Sequence, residues 1–107
     1  MSNVDNDERE FNNFRQFYEY YLSEHSEPLN RRLHFVGCIV VLILVLSAFL
    51  AGNVILLLLA PAFGYAIAWA GHFFVEKNKP ASFRHPIWSL MGDWTMFKDI
   101  MMGKVKL

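Results

Sequence analysis

No Asp, Glu, Lys or Arg occurs in residues 33–75, an apolar-rich run of 43 positions. As one helix, residues 35–70 would be about 54 Å long, against a hydrocarbon core of about 30 Å. One straight span is too long for that slab. Gly52-Asn53 is a turn dipeptide at the middle of the run. The pattern therefore predicts two spans, residues 35–51 and 54–70, folded back as a hairpin. Each lies near the short end of the spanning range, so local bilayer thinning or shallow insertion is expected. Pro61 predicts a kink in the second span. A single tilted helix followed by a buried half-helix is the alternative.

The flanks carry a different period. Phe11, Phe14, Phe17, Tyr18 and Tyr21 recur at helical spacing, which predicts an amphipathic helix over residues 7–25 with Asn6 or Asp7 as its cap. Ser26-Glu27-Pro28 reads as a stop and restart. Pro28 then opens a helix over 28–51 that carries the first span. The second helix is expected over 54–76 and a loop over 77–83. From Pro86, an apolar face of Ile87, Trp88, Leu90, Met91, Trp94, Phe97, Ile100 and Met101 predicts an interfacial helix over 86–102. The fold class is thus an all-α membrane protein, a two-span helical hairpin between amphipathic interfacial helices, forming one domain over residues 1–107.

Charge fixes the expected orientation. Residues 1–27 hold seven acids against Arg9 and Arg15, a net −5, and the remainder carries +5. Arg31 and Arg32 precede the first span, and Lys77, Lys79 and Arg84 follow the second. The uncharged turn is cheap to translocate, so both termini should face the cytoplasm. The membrane would be the inner membrane of a bacterium or the endoplasmic reticulum of a eukaryote. No basic start followed by an apolar core marks a signal peptide, so the apolar run itself should direct insertion. The balanced overall charge excludes a broadly basic nucleic-acid binder. Cys38 is the lone cysteine, most simply a small hydrophobe.

Candidate chemistry lies at the cytoplasmic end. In an antiparallel hairpin His34 and His72 reach the same depth to within about 1.5 Å, one residue of rise. His25 and His85 fall just outside them, so topology gathers four imidazoles on one face. Asn30 and His34 are four apart, as are His72 and Glu76 if the helix continues. A carboxylate one turn away can ligate a metal or hold an imidazole in one tautomer. Several histidines, a carboxylate and open positions suit non-haem iron chemistry, while zinc, copper and haem remain open. Arg31, Arg32 and Arg84 are membrane anchors by position and candidates for gripping a substrate carboxylate. Asp93 is either a solvated residue or an acid behind a ligand. Ala60, Gly64 and Ala68 mark close packing within the hairpin or between chains.

FNNFRQFYEYYLSEHSEPLNRRLHFVG, with GHFFVEKNKPASFRHPIWSLMGDWTMF after the hairpin, resembles the Mpo-like family of small membrane proteins. The resemblance covers roughly residues 11–97. It implies an iron-dependent dioxygenase that shortens 2-hydroxy fatty acids by one carbon, using Fe2+ and dioxygen. It further implies His25, His34 and His72 as metal ligands, with His85 less secure. Glu76 is implied as a ligand or supporting acid, and Asn30 as an orienting amide. Longer members have additional spans between the two motifs, so homo-oligomerisation could supply walls that one hairpin lacks. Two other classes stand beside this one. One is a hairpin that holds haem or zinc without oxidising a substrate, and the other is a structural or lipid-interacting hairpin with incidental histidines.

Overall fold

The computed structural model describes residues 10–107. Helix α1 (Phe14–Ser23) starts at a polar pair. Asn13 is extended, and its Oδ1 accepts from the Gln16 N–H at 2.9 Å. The Asn12 N–H in turn donates to Gln16 Oε1 at 3.1 Å, a reciprocal arrangement like a capping box. Asn6 and Asp7 lie outside the described residues. The aromatic period overruns the helix, since residues 10–13 are not helical. Phe11 nevertheless packs back from that segment, with its ring 5.5 Å from Phe17 and 5.2 Å from Tyr20.

Helix α2 (Pro28–Ala51) has proline in its first turn and ends on Gly52, whose φ of 60° is a left-handed cap. Asn53 caps α3 (Val54–Ala70) by accepting the Ile55 N–H at 2.9 Å. Two residues therefore reverse the chain. Pro61 lies inside α3 without ending it. Along the α2–α3 seam, Ala60 and Ala68 are buried. A Cβ at Gly64 would stand only 2.6 Å from Val41 Cγ2. The Ala60/Gly64/Ala68 stripe is therefore used inside the hairpin, where small residues let two backbones approach.

After Ala70 the helix widens into a π-helical turn, Gly71–Glu76, and stops at Lys77 with φ of 63°. A Cβ on Gly71 would overlap Asn30 Oδ1, so the missing side chain admits Asn30 of α2. A 3-10 turn, Ala81–Phe83, leads into α4 (Pro86–Met101). Phe17, Tyr20, Tyr21, Ala81 and Met96 form a buried core that Phe11, Trp88 and Ile100 help to cover.

The apolar residues of helix α4 divide between two faces. Its buried positions are Ser89, Gly92, Met96 and Asp99, while Ile87, Leu90, Met91 and Met101 are exposed. Gly92 is where Tyr21 crosses, since a Cβ there would lie 2.9 Å from the phenol ring. Met96, Trp88 and Ile100 pack toward the aromatic core with Ser89, Gly92 and Asp99, and the other aliphatic residues face outward. All elements are helical, and no strand occurs among the described residues. Residues 28–51 and 54–76 form two helices long and apolar enough to cross a membrane.

Candidate metal centre

Three elements deliver three histidines to one point. His25 follows α1, its N–H bonded to Leu22 O at 3.1 Å. His34 lies on the second turn of α2, and His72 enters from the π-turn. All three are buried, at 1%, 5% and 2% exposure. Ring centroids are 4.5 Å apart for His25–His34, 4.4 Å for His25–His72 and 5.7 Å for His34–His72. One ring nitrogen from each lies within 4.8 Å of the others.

One nitrogen of each ring has an oxygen partner, and these partners fix the tautomers. His25 Nδ1 is 2.7 Å from Tyr21 O. A carbonyl only accepts, so Nδ1 carries the proton and Nε2 keeps its lone pair. His34 Nε2 donates to Asp93 Oδ1 at 2.9 Å, leaving Nδ1 with the lone pair. His72 Nδ1 is 2.8 Å from Asn78 Oδ1. The Asn78 Nδ2 group is spent on the Glu24 carbonyl at 3.1 Å, so the amide oxygen faces His72 and must accept. His25 Nε2 and His34 Nδ1 are buried without a hydrogen-bond partner. An unpaired buried nitrogen is costly. Imidazoles held from behind by oxygen acceptors, with lone pairs converging, are what a metal ion selects. The three histidines fit such an ion.

Electrostatics agree. Burial first, and then the neighbouring His34 and His72, holds the pKa of His25 well below its ordinary 6.5, so the imidazole is neutral, as a ligand must be. Tyr21 stacks on His25 at 4.1 Å and donates its hydroxyl to Asp93 Oδ1 at 2.5 Å. Burial, and then the Asp93 charge, raises its phenol pKa well above 10.0.

The other sequence candidates separate. Glu76 makes no hydrogen bond to His72 among the described residues and is not in the clustered group, because the π-turn breaks the spacing of four on which that contact depended. Its carboxylate instead receives the Glu27 N–H at 2.6 Å and the Ser26 hydroxyl at 3.2 Å. It therefore caps α2, whose own N-cap side chain makes no such bond. Asn30 is fully buried against Gly71 with Nδ2 3.4 Å from Glu76, a structural bridge rather than an amide on His34. His85 is absent from the histidine group. It packs among aromatics instead, 5.4 Å from Phe17 and stacked at 6.0 Å on Trp88. Arg31 spends its guanidinium on three carbonyls, those of His25, Ser26 and Lys106, at 2.7–2.9 Å, and is not disposed to grip a substrate carboxylate. Arg32 and Arg84 are exposed.

Tyr21 and Asn78 support the centre without a sequence signal of that role. Tyr21 was visible only as one of an aromatic stripe. Asn78 lies six residues from His72, a spacing that signals nothing until Lys77 turns the chain back.

Beside the centre, a cavity of about 230 Å³ opens between α2, α3 and α4. His34 and Asp93 stand in its wall, and Gly37, Val41, Val45 and Leu57 continue it along the hairpin.

A family model described as "2-hydroxy-palmitic acid dioxygenase Mpo1-like" matches residues 11–105. No curated protein and no solved structure matches.

Proposed function

The chain belongs to the Mpo1-like family, and from that membership and its three facing imidazoles we propose an iron-dependent dioxygenase of 2-hydroxy fatty acids. The observation that carries the reading is the pair of orphaned nitrogens, His25 Nε2 and His34 Nδ1, beside His72. Bound ferrous iron would supply open coordination positions for activating dioxygen and polarising the 2-hydroxy acid. His25, His34 and His72 hold it. Tyr21 O, Asp93 and Asn78 keep each imidazole in the tautomer that presents a lone pair. The apolar cavity takes the first part of the alkyl tail and keeps water from the centre.

The redox balance closes without another reductant. Carbon 2 rises from alcohol to carboxylic acid, giving up three electrons. Carbon 1 leaves as carbon dioxide, giving up one. These four electrons reduce one dioxygen, and the second product is water. The acyl chain emerges one carbon shorter.

The protein sits in the bilayer as a two-span hairpin with both termini cytoplasmic. Its low internal burial supports this: only 22% and 17% of the two apolar windows are covered by the rest of the chain. A long acyl chain already resides in that membrane, gaining about 0.8 kcal/mol per buried methylene. Arg32 and Arg84, exposed near the centre's end, attract the arriving carboxylate. A haem-binding hairpin is disfavoured, because a porphyrin would have to enter between imidazoles already in edge-to-face contact.

The test is metal content per chain in detergent-purified protein prepared without oxygen. Near-stoichiometric iron is expected, lost in both His34→Ala and His72→Ala together with turnover of 2-hydroxypalmitate. Retained turnover in His34→Ala would overturn the assignment.

A further inference from the structure

Ser89 is 3% exposed, yet its Oγ has no hydrogen-bond partner. A helical serine usually satisfies its hydroxyl on the carbonyl four residues back. Thr95, on the same helix, does so with Met91 O at 2.7 Å. Ser89 does not, although its backbone N–H makes the ordinary bond to His85 O at 2.8 Å. Its side chain instead lines a cavity of about 10 Å³ whose wall includes Tyr21, His34, Tyr65, His72 and Asp93. That volume suits one water-sized guest. Two of the three clustered histidines and an unused hydroxyl thus share one small space. His34, Tyr65 and Asp93 also line the apolar cavity, so the small chamber adjoins the proposed position of the tail.

Resting on the proposed function, we infer that this chamber is the small-ligand pocket of the centre, and that Ser89 donates a hydrogen bond to the diatomic or water-sized guest held there. Dioxygen is the guest during turnover and water in the resting protein. The chamber separates the small oxidant from the fatty acid, which enters along the hairpin. Ser89 is a ligand-binding residue in this arrangement, since among the described residues its hydroxyl has no other partner.

The test uses nitric oxide, a diatomic probe, on the iron-loaded protein, with binding followed by optical and electron paramagnetic resonance spectra and no turnover required. Ser89→Ala should keep wild-type iron content and bind nitric oxide about 3- to 10-fold more weakly, the worth of one hydrogen bond. Ser89→Val, which also fills the chamber, should weaken it further, and Thr95→Val should leave it unchanged. Undiminished binding in both Ser89 variants, at wild-type iron content, overturns the inference. So does an iron-loaded wild-type protein that takes up no nitric oxide, with the iron site itself left standing. A wild-type protein that binds no iron overturns the proposed function and this pocket with it.

Discussion

Asp93 Oδ1 accepts from both the His34 Nε2–H and the Tyr21 hydroxyl. The two donors differ in consequence. His34 needs the carboxylate to hold its tautomer, whereas Tyr21 uses it mainly to satisfy a buried hydroxyl. Asp93→Asn removes the charge while keeping the volume, and should weaken metal binding about 10- to 100-fold, as losses behind a ligand do. Tyr21→Phe should retain the metal and cost about 1 kcal/mol of stability. Metal titration and thermal unfolding of the two variants separate these effects. Farther out, Tyr18 donates to Asp99 at 2.7 Å, and burial, then Asp99, raises its phenol pKa above 10.0. Its neutral form is favoured in the folded state, so the contribution is complete below pH 10.0 and is lost as pH rises through the higher folded value. A tyrosine absorbance titration should show one late-ionising phenol fewer in Tyr18→Phe than in the wild type, since the Tyr21 phenol is also raised.

The π-turn is the element that sequence reading could not supply. Pro28, Gly52 and Asn53 announce themselves, because each satisfies a backbone requirement at a helix end by its own chemistry. A change from α to π pitch within an apolar helix has no comparable residue signature. It moves Glu76 from beside His72 to the start of α2. Depth in a hairpin was enough to pair His34 with His72. The loop position of His25 and the separation of His85 depended on aromatic packing far apart in sequence. Glu76→Gln distinguishes a ligand from a cap. As a cap beside the positive end of α2, Glu76 contributes about 0.5–1 kcal/mol, so Glu76→Gln should lower thermal stability modestly and leave iron stoichiometric. Loss of iron would return Glu76 to the metal. Gly71→Ala should do more, since its Cβ would push Asn30 aside and displace the turn that carries His72.

At the scale of the molecule, the apolar surface decides where the chain can exist. Leu46, Phe49, Leu50 and Leu58 are 60–80% exposed, all toward the turn end of the hairpin. The exposed aliphatic face of α4 flanks the other end. In water so continuous an apolar surface would drive association. In a bilayer it is solvated by lipid. The long dimension of 53 Å exceeds a hydrocarbon core of about 30 Å, so in the proposed membrane arrangement the histidine end would project to the interface while the turn crosses. The basic residues beside that end should keep it cytoplasmic. Two single-cysteine proteins in a Cys38→Ser background test this in sealed inside-out and right-side-out vesicles. Val54→Cys marks the turn, at 63% exposure, and Lys98→Cys marks α4, at 60%. A membrane-impermeant maleimide should reach the two from opposite faces, with Lys98→Cys on the cytoplasmic one. Labelling of both from one face would mean that the hairpin lies along the membrane without crossing it, and the centre would then need a route for the fatty acid other than the depth of the bilayer.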